Sequence, residues 1–451
     1  MATFDKKAPG VYVEEISKLP PSVASVATAI PGFVGYTERG TKNTAIRVES
    51  LIDFEEKFGY ACKIAISEED KINGLEYKLH ESMRLFYANG GGICYVVSVG
   101  NYTDTISNTA LGTGISMLEP IDEVTMIVVP DAVSLEIKDL ASVQNAALAQ
   151  CLELKDRVAI LDVKDTGNCN TDATNFRNSI GTKGASYGAA YYPYIKSVYD
   201  REINVYDIYK GLELSNQELE NAQYYAELSE PTEESTLFAK QLMSKPEYAK
   251  LVAKIQEQAN LLPPSGAIAG IYCANDNQRG VWHAPANMSV SGISDINVRI
   301  SDKQQGELNE NTSGKCINAI RAFQGKGILV WGARTLDGLS SEWKYISVRR
   351  FFNYVEESIQ ESTAWAVFQP NDANTWVKVR CQIENFLSNL WRDGALAGST
   401  PQEAFYVRVG INQTMTAQDI LNGYMIVEIG MAAVRPAEFI VLQFSHKLQE
   451  S

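Results

Sequence analysis

Histidine is nearly missing from this chain. Among 451 residues there are three, His80, His283 and His446, which argues against a histidine-built metal centre. Cysteine is present without pattern. Cys62, Cys94, Cys151, Cys169, Cys273, Cys316 and Cys381 include no C-x-x-C pair, and an odd, scattered set is neither a disulfide framework nor a zinc site. They read as small buried hydrophobes of a chain made in a reducing compartment. Basic charge is short as well: 40 Lys and Arg stand against 55 Asp and Glu, a net charge of −15. That argues against nucleic acid as a partner, because phosphate binding needs a basic surface. It is compatible with solubility and with a basic protein partner. No apolar run reaches the roughly 18 residues of a membrane span. The start, Met1 to Lys7, lacks the apolar core of about 7–15 residues that marks a signal peptide. Synthesis in the cytoplasm without secretory export or membrane insertion is the expectation. There is no internal repeat and no low-complexity tract.

Catalytic and cofactor signatures are also wanting. Ser313-Gly314-Lys315-Cys316 has the Gly-Lys step of a phosphate loop, but Asn309 stands where the first glycine belongs and Cys316 replaces the hydroxyl residue. Gly90-Gly91-Gly92 precedes a strand and reads as a helix stop, not a dinucleotide fingerprint. Gly112-Thr113-Gly114-Ile115-Ser116 mimics part of a serine-protease motif without partners for a triad. His283, between Trp282 and Pro285, is the one histidine in a context suited to a site, and a packed role is the simpler reading. His80, beside Glu81 on a helix, reads as exposed. Paired carboxylates such as Glu14-Glu15, Glu233-Glu234 and Glu356-Glu357 read as solvated faces. No cofactor, metal or catalytic residue is expected.

What is present is ample core material. The chain is 45% hydrophobic and 21% charged, and its length suggests about two to four domains. After Ala24 to Tyr36, small and β-prone, Leu75, Leu79, Met83 and Phe86 recur at helical spacing. Ile93 to Val99 then reads as a strand buried on both faces. Thr125 to Asp131, the stripe Leu140, Val143, Ala147 and Cys151, and Arg157 to Val163 form a β-α-β unit, hence parallel strands. Residues 197–262, rich in Glu, Tyr, Gln and Lys, read as an outward-facing insert, part helical near Tyr248 to Ala259. Ser265 to Tyr272 reads as a helix, and Cys316 to Ile320 and Gly327 to Gly332 as closing strands. From Tyr345 onward, Phe352, Val355, Ile359 and Ala366 stripe one helix, and Trp376, Ile383, Phe386, Leu387 and Leu390 a second. Phe405 to Val409 and Tyr424 to Ala432 are strands, and Thr416 to Asp419 is a capping box.

The two ends are the most telling. In Glu438 to Lys447, Ile440, Leu442 and Phe444 share one face of an extended chain, and Phe439 and Val441 lie on the other. So apolar a strand at a terminus is either internal to its own domain or an arm for a neighbour, because an open edge invites another chain. Pro9 to Ile16, followed by Pro20-Pro21, is a matching extended segment. Two such ends suggest strand exchange between copies.

Pro9-Gly10-Val11-Tyr12-Val13-Glu14-Glu15, Ile30 to Gly35, Phe86 to Val97, Trp282 to Asn287, Gly332-Ala333-Arg334-Thr335, Tyr345 to Arg350, Phe405-Tyr406-Val407 and Pro436 to Ile440 follow in one order. The ordered set resembles contractile tail sheath proteins of phage tails, R-type bacteriocins and extracellular contractile injection systems, the last group most of all. The resemblance implies an α/β and α+β multidomain fold. Its parts would be an N-terminal arm (1–22), an N-terminal sheath domain (23–100), and an inserted, non-catalytic, subtilisin-like α/β domain (101–345) with the outer insert 197–262. A mesh-forming α+β C-terminal domain facing the tube (346–434) and a C-terminal strand (435–451) would follow. It implies six-fold stacked rings of this chain around an inner tube, contraction without nucleotide, and release as a phage-tail-like particle. Baseplate and terminator or cap proteins are implied partners, and sheath paralogues an open addition. Strand exchange would use Val11, Tyr12, Val13, Ile16, Phe439, Ile440, Val441, Leu442 and Phe444. Arg349, Arg350, Lys378 and Arg392 are the candidate tube contacts. The competing readings are a hydrolase on the α/β domain and a non-contractile baseplate or terminator protein.

Overall fold

The computed structural model describes residues 22–67, 71–228 and 230–439. Two compact units emerge: a body, Val26–Glu357 with Val434–Ser451, and a smaller unit, Met1–Ser25 with Ser358–Ala433.

The body begins with Pro31–Tyr36 (β1), Ala45–Val48 (β2), Leu51–Phe58 (α1), the short pair Ala65–Ile66 (β3) and Ile72–Asn73 (β4), and Leu79–Ala88 (α2). Cys94–Gly100 (β5), Asn108–Ser116 (α3), Met126–Val128 (β6), Ile137–Leu154 (α4), Val158–Asp162 (β7), Cys169–Ser179 (α5), Gly188–Tyr192 (β8) and Ile195–Ser197 (β9) follow. The insert supplies Val205–Ile208 (α6), Asn216–Ala226 (α7), Glu233–Met243 (α8) and Pro246–Ala259 (α9). The chain returns through Leu261–Leu262 (β10), Ser265–Arg279 (α10), Met288–Ser289 (β11), Ile293–Ile296 (β12), Asp302–Asn309 (α11), Asn318–Phe323 (β13) and Gly327–Val330 (β14).

One sheet of nine strands runs in the order β11-β14-β13-β8-β7-β6-β1-β5-β2. From β13 to β5 every pairing is parallel, and β2 and the β14–β11 end are antiparallel. The strands are apolar on both sides because both sides are covered. Val34, Val97, Ile127, Leu161 and Tyr192 pack on one face with α3, α4 and α5. Phe33, Val96, Val128, Ile160 and Tyr191 pack on the other with α1, α2 and α10. Helix α10 lies tight on α2: a Cβ at Gly266 or Gly270 would stand 2.5 or 2.4 Å from the carbonyl oxygens of Ser82 and Phe86, so only glycine fits.

The expected break at residue 100 does not divide this sheet, since β1 pairs with both β5 and β6. The insert is more helical than its composition suggests. Capping boxes at Ser215 and Thr232 start α7 and α8. The insert has its own apolar cluster of Val205, Tyr209, Leu212, Ala222, Phe238 and Leu242. His80, expected at the surface, is buried on α2. Its Nε2 lies 3.3 Å from Glu55 Oε1, and burial pushes the imidazole below its ordinary value despite Glu81 and Glu55.

The helix Ile346–Thr363 (α12) begins at the expected boundary, 345/346, and the units divide within it, at 357/358. The smaller unit then contains Ala373–Arg392 (α13), Pro401–Ala404 (α14), Phe405–Arg408 (β15), Ala417–Leu421 (α15) and Glu428–Met431 (β16). Val379, Ile383, Phe386, Leu387 and Leu390 form the buried stripe of α13. Gln382 accepts from Trp365 Nε1 at 2.9 Å and donates to Ser362 O at 3.0 Å. The last strand is shorter than expected, because Asn422 to Val427 are irregular after the capped helix α15.

Candidate assembly surfaces

Among the residues expected to exchange strands, Val11, Tyr12, Val13, Ile16, Ile440, Val441, Leu442 and Phe444 lie outside the described residues. Phe439 is described, and its side chain is 71% exposed. Just before it the chain is held firmly to the body. Glu438 accepts from Arg334 through both oxygens, at 2.8 Å from Nε and 2.7 Å from Nη2. Tyr345 Oη donates to the same carboxylate at 3.2 Å. Arg334 is 1% exposed, and its Nη1 also donates to Asn309 O at 3.0 Å. Its backbone N–H donates to Asn318 Oδ1 at 2.7 Å, which ties the arginine to β13. Arg435 Nη1 adds a bond to Ser341 O at 2.6 Å. A forked guanidinium on one carboxylate fixes orientation as well as contact. Local sequence pattern gave no hint of this pair, although Arg334 and Glu438 both fall in the segments that carry the family resemblance.

The candidate tube contacts separate into two kinds. Arg349 and Arg350, expected as exposed helix charges, are 5% and 4% exposed in the body. Arg350 donates to Asp276 on α10 at 3.0 and 2.6 Å and to Thr28 O at 2.9 Å, with its guanidinium 4.6 Å from the Tyr272 ring centre. Arg349 lies 3.9 Å from the Trp343 ring centre and donates to Asn353 at 2.9 Å. Here α12 is buried nearly all round, from Ile346 to Phe351, so its charges must find partners inside. Sequence reasoning missed Asp276, whose distance along the chain gave no local signal. Lys378 and Arg392 are exposed on α13, and neither has an ion-pair partner among the described residues. Their separation places them on one helix face, a face shared by Asn374, Cys381, Asn385 and Asn389 and free of carboxylates.

The smaller unit keeps apolar groups at its surface. Phe368 is fully exposed and holds a left-handed backbone, φ +63, unusual for a bulky residue. Leu421, Tyr424 and Val367 are exposed too. Among the described residues β15 pairs only with β16, in four-residue register. A two-stranded sheet is marginal by itself, and among the described residues no third strand pairs with either outer edge.

The remaining motifs are structural. Lys315 caps α5 by donating to the carbonyls of Arg177 and Ile180. Gly112 to Ser116 lie within α3. His283 is exposed, and its carbonyl accepts from Asn275 at 2.9 Å. Among the described residues no group of three His, Cys, Asp or Glu could hold a metal, and no helix is long and apolar enough to cross a membrane.

Comparison with known proteins agrees with this arrangement. Residues 101–336 match the profile of the phage tail sheath protein central domain, and residues 340–447 that of the phage tail sheath C-terminal domain. The sheath of an extracellular contractile injection system, PVC, in its contracted state is 31% identical, with 99% of each chain covered and a TM-score of 0.68. The contracted helical sheath of the anti-feeding prophage, AFP, is 30% identical, covering 97% of this chain and 99% of its own, with a TM-score of 0.66. The tail sheath protein of Vibrio phage KVP40 is 23% identical over 192 residues, 42% of this chain but only 27% of that protein. The chain thus spans about a quarter of that phage relative's length. Such coverage by fold and profile, with a non-enzymatic structural family on every side, leaves one conclusion: this chain belongs to the phage tail sheath family.

Proposed function

We propose that this chain is the sheath subunit of an extracellular contractile injection system. Copies stack as six-fold rings around an inner tube, and their contraction drives the tube through a target envelope. The observation that carries this reading is the match over 99% of both chains to the contracted PVC sheath. The N-terminal segment 1–22 and the C-terminal segment 435–451 exchange strands with neighbours and extend the β15–β16 sheet into a mesh. The open edges of that small sheet support this. The parallel sheet covered by helices on both faces supports a subtilisin-like architecture for residues 101–345, used as scaffold and not for catalysis. The body moves as a rigid unit on short linkers, and contraction releases free energy as subunits bury more surface.

The tube-facing surface is the exposed face of α13 with Lys378 and Arg392, meeting acidic groups on the tube. Arg349 and Arg350 serve inside the body instead. Baseplate and cap proteins end the stack, and the particle acts outside the cell that makes it. A second reading, a baseplate-proximal sheath copy, draws on the 30% identity to a chain of the AFP baseplate, with 98% of this chain covered.

The test is negative-stain electron microscopy of the purified chain and of a deletion of residues 1–16. Hollow striated tubes from the full chain, and folded monomers alone from the deletion, are expected. Normal tubes from the deletion would remove the arm. Full-length chain that stays monomeric even with co-expressed tube and baseplate would remove the sheath assignment.

A further inference from the structure

The clasp between Arg334 and Glu438 is more than body packing. Glu438 belongs to the last described stretch of the chain, Val434 to Phe439; Arg334 belongs to the turn after β14, at the antiparallel end of the sheet. The arginine is fully enclosed and aims its Nε and Nη2 at one carboxylate, while Tyr345 supplies a third donor to it. A cleft of about 650 Å³ opens alongside, bounded by Trp331, Tyr345, Pro436 and Phe439. The segment therefore lines an open cleft and is held through two charged residues, Arg435 on the Ser341 carbonyl and Glu438 in the Arg334 fork, the second of which grips it through a carboxylate. One residue further on, Phe439 is largely exposed. Residues 440–451 follow, and 12 extended residues at about 3.3 Å each span ~40 Å. Where the grip lies along the chain sets how much arm remains beyond it.

We propose that Arg334 is the positioning residue of the C-terminal arm: by holding Glu438 it fixes the point from which the arm departs, and so which neighbouring copy and which strand register the arm can reach. The proposal rests on the strand-exchange reading above. A slip of one residue at the clasp would turn every side chain of the exchanged strand to the opposite face. A forked charge pair resists such a slip better than an apolar contact, because no neighbouring residue can substitute for the carboxylate: Ala437 and Phe439 flank it.

The test uses the full chain with Glu438→Asp, Glu438→Gln and a deletion of residues 440–451. Glu438→Asp keeps the charge, so Arg334 is not left unpaired, but shortens the reach by one methylene. Melting of the monomer, the polymerised fraction and the helical order of tubes by cryo-electron microscopy are measured together. Glu438→Asp is expected to melt close to the parent, and Glu438→Gln to melt lower because it strands the Arg334 charge; both are expected to lower the polymerised fraction by about tenfold, or to give tubes with irregular subunit spacing. Regular tubes in normal yield from both, with the deletion unable to assemble, would overturn the positioning role and leave strand exchange standing. Normal tubes from the deletion as well would overturn strand exchange itself. A lower melting temperature with unchanged tube order would reduce Arg334 to a packing residue and overturn the proposal.

Discussion

Asp276→Asn tests whether the body is held together where α10 meets α12. In the parent, Arg350 and Asp276 are both nearly inaccessible, their side chains 3% and 2% exposed. The guanidinium reaches the carboxylate at 2.6 and 3.0 Å, the Thr28 carbonyl at 2.9 Å and the face of Tyr272 at 4.6 Å. The substitution leaves the shape intact and removes the charge, so a buried cation loses its counter-ion. Breaking one partner of such a pair costs about 3–5 kcal/mol. Unfolding entropy of about 2.1 cal/mol/K per residue, over the roughly 350 residues of the body, gives ~0.7 kcal/mol/K, so the loss should appear as a fall of about 4–7 °C in the melting of the monomer. Removing both charges with Asp276→Leu and Arg350→Met should recover most of it, since apolar pairs of similar volume often replace buried ion pairs without loss. A fall of less than about 1 °C for Asp276→Asn would refute the reasoning, and so would a double variant that melts lower than the single one.

Acid should favour the body through Asp162. Its carboxyl is fully buried behind the Ser265 N–H at 2.9 Å, and burial pushes it up to about 7 against the hydrogen bonds from Ser265. A carboxyl raised in the folded state stabilises below its unfolded value, near 4, and that contribution is lost as pH rises to about 7. Asp162→Asn is therefore expected to raise the melting temperature at pH 8 and change it little at pH 5; an equal effect at both would refute the assignment. For the tube, Lys378→Glu with Arg392→Glu should leave monomer melting unchanged and weaken tube-templated assembly. Each exposed pair is worth about 0–1 kcal/mol, so the defect should shrink as salt is raised. A defect independent of salt would remove the electrostatic contact.

Much of the body was legible because its elements announce themselves locally. Thr125 to Val163 alternates a buried strand, a striped helix and a second buried strand, and these become β6, α4 and β7 in parallel register. Ile93 to Val99 read as apolar on both faces, as an interior parallel strand should be. A strand covered on both faces needs neighbours, and those of β5 are β1 and β2, with β6 next beyond β1, so the sheet continues across residue 100. Sequence spacing does not encode that adjacency. Of the insert's helices only the one near Tyr248 to Ala259 was legible, as α9, and the earlier ones were not, for another reason. Its helices bury small stripes against one another, so the apolar signal in α7 is weak, with Ala222 its one fully buried residue.

The site was less legible because its arginines contradict their usual place. Arg is mostly exposed, and a helix segment carrying Arg349-Arg350 invites the reading of a solvent face. Burial becomes tolerable only because Asp276, Asn353 and the rings of Trp343 and Tyr272 converge from distant segments. Arg334 follows the same logic with Glu438, 104 positions away. Both arginines thus hold chain near an end of the body, Arg350 at Thr28 and Arg334 at Glu438. Apolar contacts would hold those segments as strongly but could slide by a residue, since flanking apolar groups are interchangeable in a groove. A fork on a single carboxylate or carbonyl cannot slide without stranding a buried charge. On the proposed strand exchange, in which a one-residue slip turns every side chain to the other face, resistance to sliding is the property that buried arginine supplies and hydrophobic packing does not.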